Sequence, residues 1–186
     1  MGRDKSALVL RERTLLEHAI GALAGVCDEV VLACGDERRH GEAGLRLVLD
    51  GFPGAGPLAG IEAGLAAAPT EWVAVLACDM PRADARVFEA LLARARELGA
   101  DACLLAGADG VEPLCAVYRR RCLAPLREAL AAGERKATSF HARPAQDGGR
   151  LSIAVLPEAE LPAGLARRGV TLNLNTPSEL ALEARR

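Results

Sequence analysis

Short apolar runs alternate along the chain with longer stretches in which apolar residues recur every three or four positions. This alternation is the pattern of strands joined by crossover helices, and it predicts a largely parallel sheet with helices packed against it. Strands are expected at 29–33, 46–49, 72–77, 102–106, 114–118 and 152–156, and helices at 15–23, 58–67, 84–98, 122–131 and 177–183. The 84–98 helix has the clearest two-faced pattern: Val87, Leu91, Leu92, Ala95 and Leu98 line one side, and Arg86, Glu89, Arg94 and Glu97 the other. Pro81 marks a turn before it, and Gly99 a stop after it. The stretch from Arg143 to Arg150, with Pro144, Gly148 and Gly149, reads as a mobile loop. No internal repeat or low-complexity tract interrupts the pattern.

Composition narrows the picture. A length of 186 residues suits one domain spanning 1–186, and an apolar content of 51% supplies a sizeable core. The formal net charge is −2, with 23 basic and 25 acidic residues scattered rather than blocked. No basic stripe and few aromatics are available for a phosphate backbone or stacked bases, so nucleic acid is not an expected partner. No run approaches the roughly 18 apolar residues of a membrane span, and the charged start MGRDKSALVL is unlike a signal peptide. Cys27, Cys34, Cys78, Cys103, Cys115 and Cys122 show no C-x-x-C pair, and they read as thiols of a reducing compartment. A cytoplasmic location and small-molecule substrates are the expectation.

Four segments could carry chemistry. In WVAVLACDMP (72–81) a run apolar on both faces ends at Asp79, and open α/β sheets place ligands at the carboxyl ends of such central strands. Asp79 there suits Mg²⁺, which is commonly held by one or two carboxylates together with substrate phosphates. It could equally cap the next turn, and the residues alone leave both readings open. In LVLDGFPGAGPLAGIEAGL (47–65), Asp50 ends a second strand and a loop of glycine and proline opens a helix. Gly56 and Gly60 would let backbone approach a ligand, and the helix start offers free N–H donors, although many strand-to-helix connections share this composition. In TLNLNTPSEL (171–180), Asn173 and Asn175 lie two apart, on one face of an extended segment, and could hydrogen-bond a polar ring. Asn175 or Thr176 could also cap the last helix. Lys5, taken alone, is an ordinary surface charge. His18, His40 and His141 are scattered, and no Ser/His/Asp, Cys/His or H-E-x-x-H arrangement is present.

Taken in order, MGRDK, D-x-x-x-G-x-GPLAGI, CDMP, EPLCAVY and NLNTP resemble the molybdenum cofactor guanylyltransferases, the MobA family, over essentially the whole chain. The resemblance implies a three-layer α/β/α, Rossmann-like fold of the nucleotide-diphospho-sugar transferase type with a mostly parallel sheet. It implies GTP and molybdopterin as substrates and Mg²⁺ as cofactor. It further implies transient contact with other proteins of molybdenum cofactor biosynthesis and with recipient molybdoenzymes. On this likeness Lys5 is the lysine that contacts nucleotide phosphates, Asp50 the acidic residue of the nucleoside pocket, and Asp79 the magnesium ligand. Gly56 and Gly60 match the loop beside the nucleotide, and Asn173 and Asn175 the molybdopterin side. Two departures stand out. Members of the family begin with a strand and a loop of the form LAGGxSxRMGxDK, and this sequence starts at the Met of that motif. Without that central strand, its neighbours would present unpaired backbone and the core would open. Ala33 stands where a nucleotide-contacting asparagine is often found.

Overall fold

The computed structural model describes residues 5–35, 37 and 40–185. Of the MGRDK motif, Met1 to Asp4 therefore lie outside the described residues. A short hairpin, β1 (Val9–Leu10) with β2 (Arg13–Thr14), leads into helix α1 (Leu15–Ala24). Thr14 starts that helix with a reciprocal cap: its Oγ1 accepts from the Glu17 N–H at 3.1 Å, and its own N–H donates to Glu17 Oε2 at 2.6 Å. Then follow β3 (Val31–Ala33), β4 (Arg46–Val48), α2 (Pro57–Ala67), β5 (Trp72–Leu76) and α3 (Ala85–Glu97). The chain continues through β6 (Ala102–Gly107), β7 (Gly110–Arg119), α4 (Leu123–Ala131), β8 (Ile153–Pro157) and α5 (Pro177–Ala184).

The helices stand close to where the periodicity places them. Asp84 is the N-cap of α3, accepting from the Arg86 N–H at 3.0 Å, and Gly99 adopts φ +59° just past the helix end. On its apolar face, Val87, Leu91 and Ala95 are buried and are joined by Phe88, whereas Leu98 is 55% exposed because it is the last, capping position. Strand β7 extends four residues earlier than expected. Glu112 and Pro113 interrupt its apolar pattern, and its start is fixed instead by a hairpin with β6, turned at Gly110. The stretch from Arg143 to Arg150 is tied rather than loose. Pro144 bridges to Arg150, Ala145 N–H donates to Gly149 O at 2.7 Å, and Asp147 accepts from Arg121 at 2.7 Å.

The main sheet has the order β5-β7-β6-β8. Strands β5, β6 and β8 point the same way and β7 runs against them, so the sheet is parallel but for one inserted strand. Its faces alternate residue by residue. Cys103, Leu105, Cys115 and Val117 enter a core with Val87, Phe88 and Leu91 of α3, while Ala102, Leu104, Ala116 and Tyr118 enter another with Leu58, Ile61 and Leu126 of α2 and α4. Helices thus cover both faces, which makes the three layers expected from the sequence.

Strands β3 and β4 form a separate parallel pair. Among the described residues β3 pairs only with β4, and β5 only with β7. The other sides of β3 and β5 line one cavity of about 920 Å³, walled also by Leu16, Ile20 and Leu23 of α1 and by Gly60 and Gly64 of α2. All five residues of β5 are half-buried. The 72–77 run is apolar on both faces as its pattern requires, yet one of its edges borders this cavity.

Candidate active site at the carboxyl end of β5

Beyond Leu76, the ladder between β5 and β7 continues through a bond from Ala77 N–H to Leu114 O at 2.8 Å, and the chain then turns at Cys78 and Asp79. Asp79 is held there by its backbone, since its carbonyl accepts from Leu174 N–H at 2.9 Å. Its carboxylate is therefore left to the cleft, with 22% of the side chain exposed. Lys5 reaches the same place from the other end of the chain: Nζ lies 3.9 Å from Asp79 Oδ2 and donates to Asn175 Oδ1 at 2.7 Å.

The segment carrying the asparagines has no regular ladder of its own, and side chains hold it instead. Glu158 accepts from the N–H groups of Val170 and Thr171 and from Thr171 Oγ1, the last at 2.6 Å. Arg82, three residues after Asp79, donates to the carbonyl of Arg168 and pairs with Glu183 of α5, its Nε at 2.8 Å from Oε1. Leu174 is buried against Leu10 and Leu15. Thr176, not Asn175, caps α5: its Oγ1 accepts from Glu179 N–H at 3.2 Å, and Glu179 Oε2 accepts from the N–H groups of Asn175 and Thr176 at 2.7 and 2.8 Å. Asn173 Nδ2 donates to Glu112 Oε1 at 3.2 Å.

Glu112 is a site residue that sequence reasoning did not single out. It sits where β7 passes β6, paired with Leu105, on the side of the sheet end where Asp79 emerges. Burial pushes its carboxyl above the ordinary value, the bond from Asn173 opposes that, and the charges of Asp79 and Asp109 add to the rise. Its position in EPLCAVY was the available signal, but periodicity could not show that β7 begins before the proline.

The expected residues fall into two groups. Lys5, Asp79, Asn173 and Asn175 are brought together. Asp50, Gly56 and Gly60 belong to the neighbouring connection: Asp50 follows β4, with its N–H on Gly35 O at 2.9 Å, and Gly56 is the N-cap of α2 at φ +69°. Gly60 and Asp79 both line the 920 Å³ cavity, whereas Asp50 and Gly56 are outside its wall. Ala33 lies against α2, and a Cβ at Gly60 would meet its Cβ at 3.8 Å.

Among the described residues no three His, Cys, Asp or Glu side chains gather as a metal cage. A half-buried carboxylate with a lysine beside it fits a different kind of site, in which a hard cation is shared between the protein and substrate phosphates. Burial pushes the Cys103 thiol up to about 11 and the Cys122 thiol up to about 12, leaving little thiolate at those two positions near neutral pH. No helix among the described residues is long and apolar enough to cross a membrane.

A doubly covered, mostly parallel sheet with an acidic strand end and a glycine-rich strand-to-helix connection defines a nucleotidyltransferase of the nucleotide-diphospho-sugar transferase fold. The chain belongs to the family described as "MobA-like NTP transferase domain", whose model matches residues 1–147. It is 38% identical over 191 residues to a probable molybdenum cofactor guanylyltransferase of Opitutus terrae, covering 100% of this chain and 89% of that one. It is also 36% identical to a molybdenum cofactor guanylyltransferase of Pseudomonas putida, over 79% of this chain and 78% of the other. Among solved structures, molybdopterin-guanine dinucleotide biosynthesis protein A of Archaeoglobus fulgidus superposes with a TM-score of 0.79 at 25% identity, over 99% of this chain and 90% of that one. The cytidylyltransferase acting on 2-C-methyl-D-erythritol 4-phosphate in Thermus thermophilus shares the fold, with a TM-score of 0.66 at 19% identity and coverage of 97% and 92%.

Proposed function

We propose that this protein transfers GMP from GTP to molybdopterin, releasing pyrophosphate and forming the guanine dinucleotide cofactor. The observation that carries the reading is the meeting of Lys5, Asp79 and Asn175 at the end of β5, where an ammonium and a carboxylate flank one cleft. The similarity to guanylyltransferases of known name supports the choice of nucleotide and acceptor.

In this reading the terminal phosphate of molybdopterin attacks the α-phosphorus of GTP. A new P–O bond forms there, the bond to the bridging oxygen breaks, and pyrophosphate leaves with that oxygen. The attacking phosphate is already anionic, so no general base is needed. Such transfer depends on positioning and charge neutralisation. Lys5 supplies a fixed positive charge with three N–H donors, of which Asn175 takes one and phosphate oxygens can take others. Asp79 would hold Mg²⁺ together with the nucleotide phosphates. When bound, that ion offsets phosphate charge and orients the leaving group.

Asp50, Gly56 and Gly60 would border the nucleoside, and Asn173 and Asn175 the acceptor. Product release would involve transient contact with other cofactor-biosynthesis proteins and recipient molybdoenzymes.

The test is a turnover assay with molybdopterin, magnesium and either GTP or CTP, reading pyrophosphate. Preference for GTP is expected, and Asp79→Ala should abolish transfer while leaving the circular dichroism spectrum unchanged. Preference for CTP would reassign the nucleotide, transfer to another phosphorylated acceptor would reassign the substrate, and retained turnover in Asp79→Ala would remove its role. No transfer with either nucleotide would leave a binding protein.

A further inference from the structure

We propose that His40 is a positioning residue, which through its hydrogen bond to Ser6 holds the short turn that presents Lys5 to the carboxyl end of β5. The inference rests on the reading above that Lys5 contacts the nucleotide phosphates.

Lys5 depends on support from outside its own turn. It opens a single 3₁₀ turn, Lys5–Ala7, closed by a backbone bond from Leu8 N–H to Lys5 O at 3.0 Å. A turn of that length does not hold itself, because it fixes several dihedrals for one hydrogen bond. On its carboxyl side, Leu15 N–H donates to Leu8 O at 2.8 Å, and Leu8 and Leu10 pack with Leu15 and Leu174. Those contacts fix residues 8–10. Nearer the lysine, Ser6 is 8% exposed, and its Oγ shares a hydrogen bond of 2.9 Å with His40 Nε2, 34 residues further along the chain. Asn175 and Asp79 meet only the far end of the lysine, Nζ, and its four-carbon stem keeps that end in one place only if the root is fixed.

His40 keeps its place at a conformational cost. Its backbone is left-handed, with φ +58° and ψ +34°, where a side chain is strained and glycine is at ease. The 3₁₀ turn Gly41–Ala43 that follows is closed by a bond from Ala43 N–H to His40 O at 3.0 Å, a bond that glycine would make equally well. What glycine lacks is the imidazole, and the imidazole reaches Ser6. A strained residue that its surroundings maintain points to a functional constraint. Ser6, His40 and Asp79 line the same 920 Å³ cavity, so the tie lies within the site and not on a remote surface.

One substitution separates positioning from folding. His40→Gly relieves the left-handed strain as it removes the bond, so its thermal midpoint should match that of the unmodified protein. The probe is pyrophosphate with magnesium, titrated against the intact chain by calorimetry. Lys5→Ala should lose most of the affinity. His40→Gly and Ser6→Ala should each weaken binding roughly three- to tenfold, the worth of one hydrogen bond, and the double variant should bind no more weakly than either single one. Losses that add in the double variant, or a His40→Gly loss matched by a fall in thermal midpoint, would overturn the proposal. The two readings fail separately. No binding by the unmodified protein, or full affinity in Lys5→Ala, removes the phosphate role of Lys5 and this inference with it, whereas a weakened Lys5→Ala beside an unchanged His40→Gly removes this inference alone.

Discussion

Strands β5 and β7 are neighbours with nearly the same apolar pattern, and they are buried to very different degrees. In β7, Cys115, Ala116, Val117 and Tyr118 are 0 to 3% exposed, while every residue of β5 is half-buried. The difference lies in their partners. Among the described residues β7 is paired on both sides, by β5 and β6, whereas β5 is paired on one side and borders the cavity on the other. An apolar run therefore states how much surface a strand could bury, and its flanking strands decide how much it does bury.

The largest expected effect follows from breaking the well-packed side. Tyr118 is fully buried, rests near Phe140 with ring centroids 6.0 Å apart, and donates its hydroxyl to Pro113 O at 2.8 Å. Tyr118→Ala should cost about 3–5 kcal/mol, the range for buried aromatics, in urea unfolding. Val75→Ala in β5 should cost about 1 kcal/mol, because its methyl groups are already part-solvated. Equal losses would refute the comparison.

A middle-sized effect probes the link between β6, β8 and the turn before it. Asp101 is 3% exposed and accepts from Arg121 at 2.7 Å and from Ser152 N–H at 3.0 Å. Arg121→Ala removes the compensating charge and should cost about 2–3 kcal/mol, somewhat below a wholly buried pair because the guanidinium is 32% exposed. A matched Arg119→Ala, which breaks an exposed pair with Glu71 beside β5, should cost no more than about 1 kcal/mol by the same measurement.

The same contrast explains what the sequence could show. Among the described residues periodicity located all five α-helices and six of the eight strands, because burial on one or both faces leaves a repeat of 3.6 or 2 residues; the two-residue strands β1 and β2 are too short to carry one. It could not show that β7 starts at Gly110, since Glu112 and Pro113 are polar or conformationally special and their place is fixed by pairing across space. Nor could it show that the Arg143 to Arg150 turn is pinned, because Asp147 and Arg121 are far apart in sequence. At the site, CDMP and NLNTP pointed to Asp79, Asn173 and Asn175. Glu112, Glu158 and Arg82 act by holding other groups, and a holding role leaves no local spacing to read.

The smallest effect concerns the edge of the site rather than the sheet. Glu179 caps α5 through the N–H groups of Asn175 and Thr176, and these bonds hold its carboxyl below the ordinary value. A carboxyl whose folded value is depressed contributes stability that is fully present above its unfolded value and is lost as pH falls through the folded one. The cap should therefore be intact at neutral pH and released only below about pH 4.3, the ordinary glutamate value. Amide hydrogen exchange gives the readout: on acidification the first turn of α5 should lose protection, after correction for the intrinsic rate, before β6 and β7 do. Glu179→Gln should remove that acid step and lower protection modestly at neutral pH. If α5 and the central strands lose protection together, the cap is not an independent element, and the asparagine segment is held by the core rather than by its own carboxylates.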